Sequence, residues 1–109
     1  MPIDRYAAAV DDLDPAAGDV ESTELVVSDD VLVKAFVLGP GAAVEPHAHA
    51  DATNVFHVVA GELTVTSGEE TETLAAPAVV HNERGTVHGA RNDTDERAVL
   101  TASLCPLPR

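Results

Sequence analysis

The chain has 109 residues with 19 acidic and 6 basic side chains, which gives a formal net charge of −13 at pH 7. That length fits one domain with one hydrophobic core, and an acidic chain without a basic face excludes the phosphate neutralisation that nucleic-acid binding needs. Apolar residues come in short stretches, so no segment approaches the roughly 20 apolar residues of a membrane-spanning helix.

Residues 1–23 are rich in Ala and Asp and contain breakers such as Pro15 and Gly18, so we expect an irregular N-terminal arm there. A β-barrel domain is expected over 24–109, because β-branched stretches recur between turn residues at intervals of about ten residues or less. The pattern predicts an all-β fold. The predicted strands are 24–27, 31–38, 43–49, 54–60, 63–67, 71–74, 78–82, 87–92 and 96–104.

Two features of the chain bear on its location. The sequence begins Met1-Pro2-Ile3 without a basic segment followed by an apolar run, so we expect no secretory signal. Cys105 is the single cysteine, which excludes a disulfide within one chain. We therefore expect a cytoplasmic protein.

The composition also bears on the source of the protein. Lys34 is the only lysine, Trp is absent, and the polar positions are filled by Asp, Glu and Thr. This composition resembles that of proteins from halophilic, salt-accumulating archaea, where abundant ions screen the repulsion between like charges. The resemblance implies a halophilic source and a fold that salt stabilises.

Five histidines in a short acidic chain suggest a metal site. His47 and His49 lie two residues apart on a predicted strand, so their side chains are expected on one face of the sheet. His88 lies on a later strand and would complete a three-imidazole site where the fold brings the two strands together. For an isolated His-x-His pair, the alternative is a pair of solvated surface side chains.

The spacing around the first two histidines is characteristic. Gly41 is followed by five residues, then His47 and His49 with one residue between them, then four residues and Asn54, then six residues and Gly61. This arrangement resembles the first sequence motif of the cupin family, with its spacing intact.

A second motif follows later in the chain. Gly85, two residues, His88, three residues and Asn92 resemble the second cupin motif. Glu83 stands where that motif commonly has Pro, and Pro77 where it commonly has Gly. The chain is thus similar to small single-domain cupins of the conserved-barrel type (cupin 2) over about half of its length.

The resemblance implies a fold and a cofactor. Cupins are antiparallel jelly-roll barrels, also called double-stranded β-helices, and are usually dimeric. They hold one divalent transition metal through three histidines and a carboxylate, which implies that His47, His49 and His88 are metal ligands here. The expected metal is Fe, Mn, Ni, Cu or Zn. Asn54 stands where the carboxylate is expected and is retained as a further candidate ligand, although its amide is neutral and a weaker donor.

Asn54 leaves three alternatives open. The metal is held by three histidines alone, with the remaining positions open to water or a substrate. Otherwise Glu45 replaces the carboxylate, since it shares strand parity with His47 and His49, although Pro46 interrupts the ladder. In the third alternative the site is empty and Asn54 is a hydrogen-bonding residue of the pocket wall.

Alternation along the strands sorts the neighbouring residues. If Asn54 faces the interior of the barrel, Phe56 and Val58 face it too, and we expect both to line the pocket. His57 then points to the outer face, where a dimer interface is one role for it.

Further expectations concern residues on the predicted strands 31–38, 78–82 and 87–92. One of the neighbours His81 and Asn82 must point inward, and we expect Asn82 to do so and to belong to the pocket. Phe36 is expected to be a core residue, and Arg91 to point outward because it alternates away from His88.

These features support two functional hypotheses and a weaker third. The first is a metalloenzyme that acts on a small organic substrate at the three-histidine site, with dioxygenase or isomerase chemistry and no catalytic residue assigned. The second is a non-catalytic module that binds or senses a metal or small ligand, and the third is a metal-free structural dimer. The expected partners are a small-molecule ligand and a second copy of the chain.

Overall fold

The computed structural model describes residues 9–107, in which Ala9 and Val10 are helical and the regular structure is otherwise β-strand. The described residues contain no helix with the length and apolar character needed to cross a membrane. The strands are β1 Val20–Val27, β2 Leu32–Leu38, β3 Ala43–His47, β4 Thr53–Ala60, β5 Glu62–Ser67, β6 Glu70–Ala75, β7 Ala78–Asn82, β8 His88–Arg91 and β9 Ala98–Cys105.

The predicted all-β fold class is confirmed, and each of the nine predicted strands has an observed counterpart. The first strand begins at Val20 rather than at residue 24, because its residues pair with β2 along the whole length of that strand. Residues 1–8 of the expected arm lie outside the described residues. The division of the chain into an arm over 1–23 and a domain over 24–109 stays a prediction.

The strands form two antiparallel sheets. One sheet has the order β1-β2-β9-β4-β7, and the other has the order β3-β8-β5-β6. In both sheets, strands far apart in the chain are neighbours: β2 pairs with β9, and β3 pairs with β8. This jelly-roll pairing makes β3 and β8, which carry His47 and His88, neighbours in one sheet, and the facing sheet contributes Asn54 from β4.

The hydrophobic core lies between the two sheets. Side chains of β4 alternate, so that Phe56 and Val58 are fully buried while His57 between them is exposed. They pack against Leu63 from the opposite sheet and Leu100 from β9. A second apolar cluster covers the outer side of the larger sheet, and its buried members are Val10, Ala35, Val37 and Val99.

The backbone requires glycine at two positions, and one of them lies beside the histidines. Gly61 lies between β4 and β5 with a φ of 77°, a left-handed conformation that side chains with a Cβ disfavour. Gly89 on β8 faces β3 so closely that a Cβ there would lie 2.9 Å from the carbonyl oxygen of Val44. The absence of a side chain at Gly89 lets β3 and β8 approach, and with them His47 and His88.

Asn92 connects the end of β2 to the loop after β8 through hydrogen bonds of its side chain. Its buried Nδ2 donates to the carbonyl oxygens of Leu38, Gly39 and Glu96, and its Oδ1 accepts from the backbone N–H and the hydroxyl of Thr94. The amide is thus fully satisfied without a ligand. The asparagine of the second motif therefore has a structural role.

Candidate metal centre

His47 is the last residue of β3, so the strand predicted over 43–49 ends two residues earlier than expected. The register with β8 is irregular between Val44 and His47. Pro46 lies in this irregular stretch and has no N–H to donate to the ladder. As a result Val44 and His47 line the same cavity, although strict alternation would separate them.

The irregularity also decides the direction of Glu45. Its side chain is exposed and lies by a groove on the outer face, next to Thr64 and Arg91. The expectation that Glu45 shares a face with His47 and His49 is wrong, because the register shift breaks the alternation on which it was based. Glu45 contributes its backbone carbonyl to the site instead, as described below.

The three histidines of the two motifs come together at one end of the barrel. His47 and His88 are direct partners across β3 and β8, and His49 follows two residues after β3. The ring centroids are 5.0 Å apart for His47 and His49, 4.6 Å for His47 and His88, and 5.6 Å for His49 and His88. One ligand nitrogen from each ring lies within 4.8 Å of the other two.

Hydrogen bonds to the backbone fix the tautomer of two of these rings. His88 Nδ1 donates to the carbonyl oxygen of Thr86 over 2.9 Å, and His47 Nδ1 donates to that of Glu45 over 2.8 Å. A carbonyl oxygen accepts only, so Nδ1 carries the proton and Nε2 keeps its lone pair in the neutral ring. Metal-binding histidines are oriented by bonds of this kind.

The Nε2 atom of His88 is the strongest indication that the cluster binds a metal. The residue is 1% exposed, and its Nε2 is buried without a hydrogen-bond partner among the described residues. Leaving a buried acceptor unpaired costs about 1–3 kcal/mol. A metal ion bound by this nitrogen removes that cost.

Electrostatics keep the cluster in the form that binds metals. Burial lowers the pKa of His49 below its ordinary value of 6.5, and the charge of neighbouring His47 lowers it further. Burial also lowers the pKa of His88; the bond to Thr86 raises it in part, and His47 and His49 lower it again. Neutral imidazoles are the ligands of transition metals.

The donor set fits a transition-metal ion. Tetrahedral coordination with zinc–nitrogen bonds of about 2.0–2.1 Å places two ligand nitrogens about 3.4 Å apart. The ligand nitrogens of the three histidines lie within 4.8 Å of one another, so the rings must rotate inward to bind one ion. Three nitrogen ligands suit Fe, Ni, Cu or Zn better than Mg or Ca.

Asn54 lies beside the histidines at the end of a chain of hydrogen bonds. Ser67 Oγ donates to Asn82 Oδ1 over 2.6 Å, and Asn82 Nδ2 donates to Asn54 Oδ1 over 2.8 Å. Asn54 is 1% exposed, and its Nδ2 is buried without a partner among the described residues. Asn54 therefore presents an N–H donor to the site, whereas its oxygen is already engaged.

A cavity of about 270 Å³ opens beside the histidines. Phe56 lines it, as expected, and its ring lies 5.2 Å from that of His88. Val58 is not part of the lining: it lies two residues further along β4, fully buried in the core. Asn82 points inward, as expected, but stands behind Asn54 rather than in the cavity.

Strand β2 supplies a wall of the cavity that the sequence did not indicate. Leu32, Lys34 and Phe36 alternate on its inner face and line the cavity with His47 and His49. The expectation that Phe36 is only a core residue is therefore incomplete, since its ring is half-buried and faces the cavity as well. Alternation along β2 was readable, but no local signal showed that β2 faces the histidines.

The remaining histidines and Arg91 lie outside the site. His57 and His81 are exposed, as alternation predicts for neighbours of Phe56 and Asn82. Arg91 is half exposed and forms an ion pair of 2.9 Å with Asp93 on the outer face. These side chains do not contribute to the cluster of three histidines.

Comparison with known proteins bears on the family. Residues 35–104 match the family model described as a cupin domain. This span contains the three histidines, Asn54 and the strands from β3 to β8. A search of curated proteins found no significant match.

Solved structures with the same fold include TT1209 from Thermus thermophilus, with 29% identity and a TM-score of 0.78 over 82% of this chain and 85% of that one. An RmlC-like cupin from Shewanella frigidimarina has 22% identity and a TM-score of 0.74, over 84% and 79% of the two chains. A predicted oxalate decarboxylase from Thermotoga maritima has 20% identity and a TM-score of 0.76, over 81% of each chain. The last two likenesses concern the fold alone.

Proposed function

The chain belongs to the cupin family, and we propose that it binds one divalent transition-metal ion through His47, His49 and His88. The ion faces the adjoining cavity, where a small organic ligand completes its coordination. Three protein ligands leave positions open, as catalytic metal sites do.

One observation carries this proposal: the buried, unpaired Nε2 of His88. The bond from its Nδ1 to Thr86 holds the ring in one tautomer and orientation. A ring placed only for packing has no reason to direct a free lone pair toward two other imidazoles. The convergence of ligand nitrogens from all three histidines supports the same conclusion.

The side chains of the site have different roles. His47 and His88 are positioned by backbone carbonyls, so little rotamer freedom is lost when they bind an ion. Asn54 offers an N–H to a group bound beside the histidines. Phe36 and Phe56 exclude water from one side of the cavity. When bound, the metal supplies a Lewis acid or a redox centre.

Metal analysis tests the proposal. We expect near-stoichiometric Fe, Mn, Ni, Cu or Zn in the purified protein, and loss of that metal in His88→Ala and in the double variant His47→Ala, His49→Ala. His81→Ala is the matched control, because it removes an exposed histidine from the outer face. Equal metal content in His88→Ala and His81→Ala would contradict the proposal.

The pocket is compatible with two roles, that of an enzyme and that of a non-catalytic binding module. No aspartate or glutamate lines the cavity, and a carboxylate is a common general base, which favours a non-catalytic binding or sensing role. Dioxygenase or isomerase chemistry is the alternative. Oxygen uptake by the metal-loaded protein with thiols, diketones or flavonols distinguishes the two, since a binding module shows none.

Three further expectations from the sequence stay predictions: a cytoplasmic location, a halophilic archaeal source and a homodimer. The homodimer is supported by an exposed patch on the outer face of the larger sheet. Val79, 66% exposed, lies there on the edge strand β7 as the direct partner of the exposed His57. Sedimentation of wild type and Val79→Glu tests the dimer, which the added charge should dissociate.

A further inference from the structure

The charge inventory of the cavity differs from that of the whole protein. Asp and Glu account for 19 of the 109 residues, yet no residue that lines the cavity is acidic. Lys34, the only lysine in the chain, lines it. The lining of the cavity therefore contains no carboxylate that would repel an anion.

Lys34 has no ion-pair partner among residues 9–107. Its Nζ lies over the ring of Phe36, 5.3 Å from the centroid. Glu24 is its neighbour across β1 and β2, but Glu24 is exposed and forms no ion pair with it. A contact with an aromatic ring leaves the three N–H donors of the ammonium group available.

Asn54, which also lines the cavity, has a second unpaired donor. The Nδ2 of Asn54 is buried and unpaired, while its Oδ1 is occupied by Asn82. Once His47, His49 and His88 bind a metal ion, Lys34 and Asn54 are the polar side chains left along the cavity. Both offer N–H groups. Their complement is a group that accepts without donating, and an ionised carboxylate is such a group.

The remaining lining of the cavity is mostly apolar, and the cavity as a whole is small. Leu32, Phe36, Phe56 and Leu104 contribute carbon surface to it. A volume of about 270 Å³ is near the lower limit for ligand sites. It suits a body of a few carbon atoms rather than a sugar nucleotide or a peptide.

We infer that the ligand of this pocket is a small carboxylic acid with a short apolar body, bound as its anion between the metal, Asn54 and Lys34. This inference rests on the proposed metal site, because the metal contributes part of the positive charge. It goes further by giving Lys34 a role in specificity: the ammonium group distinguishes the anion from a neutral compound of the same shape.

A matched pair of probes tests the inference. 3-Methylbutanoate and 3-methylbutanamide have nearly the same shape and differ in charge. Ligand-observed NMR titrations with zinc-loaded protein should show that the carboxylate binds at least about tenfold more tightly than the amide, as expected for a hydrogen bond to a charged group. This comparison needs no variant.

Variants then assign the preference to Lys34. Lys34→Met keeps the apolar stem, and we expect about tenfold weaker binding of the carboxylate, with unchanged binding of the amide and unchanged zinc content. Lys34→Arg should retain most of the preference. Arg91→Met makes the same change of charge on the outer face and should bind both probes like the wild type.

The outcomes separate this inference from the proposed function. Wild-type protein that takes up no zinc contradicts the metal site, and the inference with it. Zinc-loaded wild type that binds the two probes equally, or binds neither, contradicts the carboxylate inference alone. Lys34→Met that binds the carboxylate as tightly as Arg91→Met contradicts the role of Lys34.

Discussion

Asn82 donates a hydrogen bond of 2.8 Å to Asn54 between two fully buried side chains on adjacent strands. The bond occupies the oxygen of Asn54 and leaves its buried nitrogen without a partner in a residue that lines the cavity. At the position where cupins commonly have a metal-binding carboxylate, this protein thus presents a hydrogen-bond donor. The replacement changes the expected role of this one position from coordinating the metal to donating a hydrogen bond to a ligand.

Asn54→Asp should convert the position back to a metal ligand. One carboxylate oxygen still accepts from Asn82, and the other presents a negative charge to an ion held by the three histidines. We expect zinc to bind roughly tenfold more tightly, which competition with a chelator measures. The metal-free variant should unfold at lower temperature than wild type, because its new charge is buried without a bound cation to balance it.

Asn54→Leu is the control for this substitution. It has a similar volume but no oxygen, so its zinc affinity should stay close to that of the wild type. Equal zinc affinities in Asn54→Asp and Asn54→Leu would show that the side chain at this position does not reach the metal.

The stability of the metal-free protein should depend on pH below about 6.5. The pKa values of His49 and His88 are lowered from 6.5 in the folded state. Below pH 6.5 the unfolded chain therefore binds more protons than the folded one, so the free energy of unfolding falls as pH falls toward the lowered values. Well above their ordinary pKa these two groups have no effect, because both are neutral in either state.

Urea unfolding at a series of pH values measures this slope. His88→Gln removes one of the two groups, so its stability should fall less steeply below pH 6.5. The exposed His81 provides the control, and His81→Gln should retain the slope of the wild type. A slope that is the same in all three proteins excludes the buried histidine as its source.

Asn92→Ala should destabilise the fold without affecting the metal site directly. The substitution leaves the carbonyls of Leu38, Gly39 and Glu96 without their shared donor. We expect a loss of about 3 kcal/mol in the free energy of unfolding, measured by denaturant titration. Thr71→Ala removes an exposed bond to Thr66 and should change stability by less than about 0.5 kcal/mol. Similar losses in both variants would rule out a special role for Asn92.

Salt should stabilise the protein. With a formal net charge of −13, repulsion between carboxylates opposes the compact state, and ions screen it over a Debye length of about 10 Å at 0.1 M and about 3 Å at 1 M. We expect the midpoint of thermal unfolding to rise as KCl increases into the molar range. Replacing the exposed Glu69, Glu70 and Glu72 by Gln should reduce this rise. A midpoint that does not respond to KCl contradicts the halophilic interpretation.

Much of the fold could be predicted from the sequence because alternation and turn residues are local signals. The positions of all nine strands followed from these signals, with differences at their ends. Along β4, alternation also predicted that Asn54 and Phe56 share one face and that His57 lies on the other, and the structure buries the first two and exposes His57. The resemblance of the two motifs to those of cupins implied that His47, His49 and His88 would meet, and the structure brings them together.

Other features of the site depended on pairing between distant strands. The register shift between Val44 and His47 turned Glu45 away from the metal, and a shift of this kind depends on how closely Gly89 lets β8 approach. Nothing in the sequence near Lys34 shows that β2 lies beside β9 and faces the histidines. That neighbourhood joins residues 68 positions apart, such as Lys34 and Ala102.

The sequence by itself determined which side chains share a face of each strand, because alternation is a property of the extended backbone and needs no partner. Only the tertiary structure decided which faces meet, and therefore that a lysine, an amide donor and three imidazoles surround one cavity. The reason is that strand pairing and register are set by packing over the whole barrel, where a shift of one residue reverses every side chain.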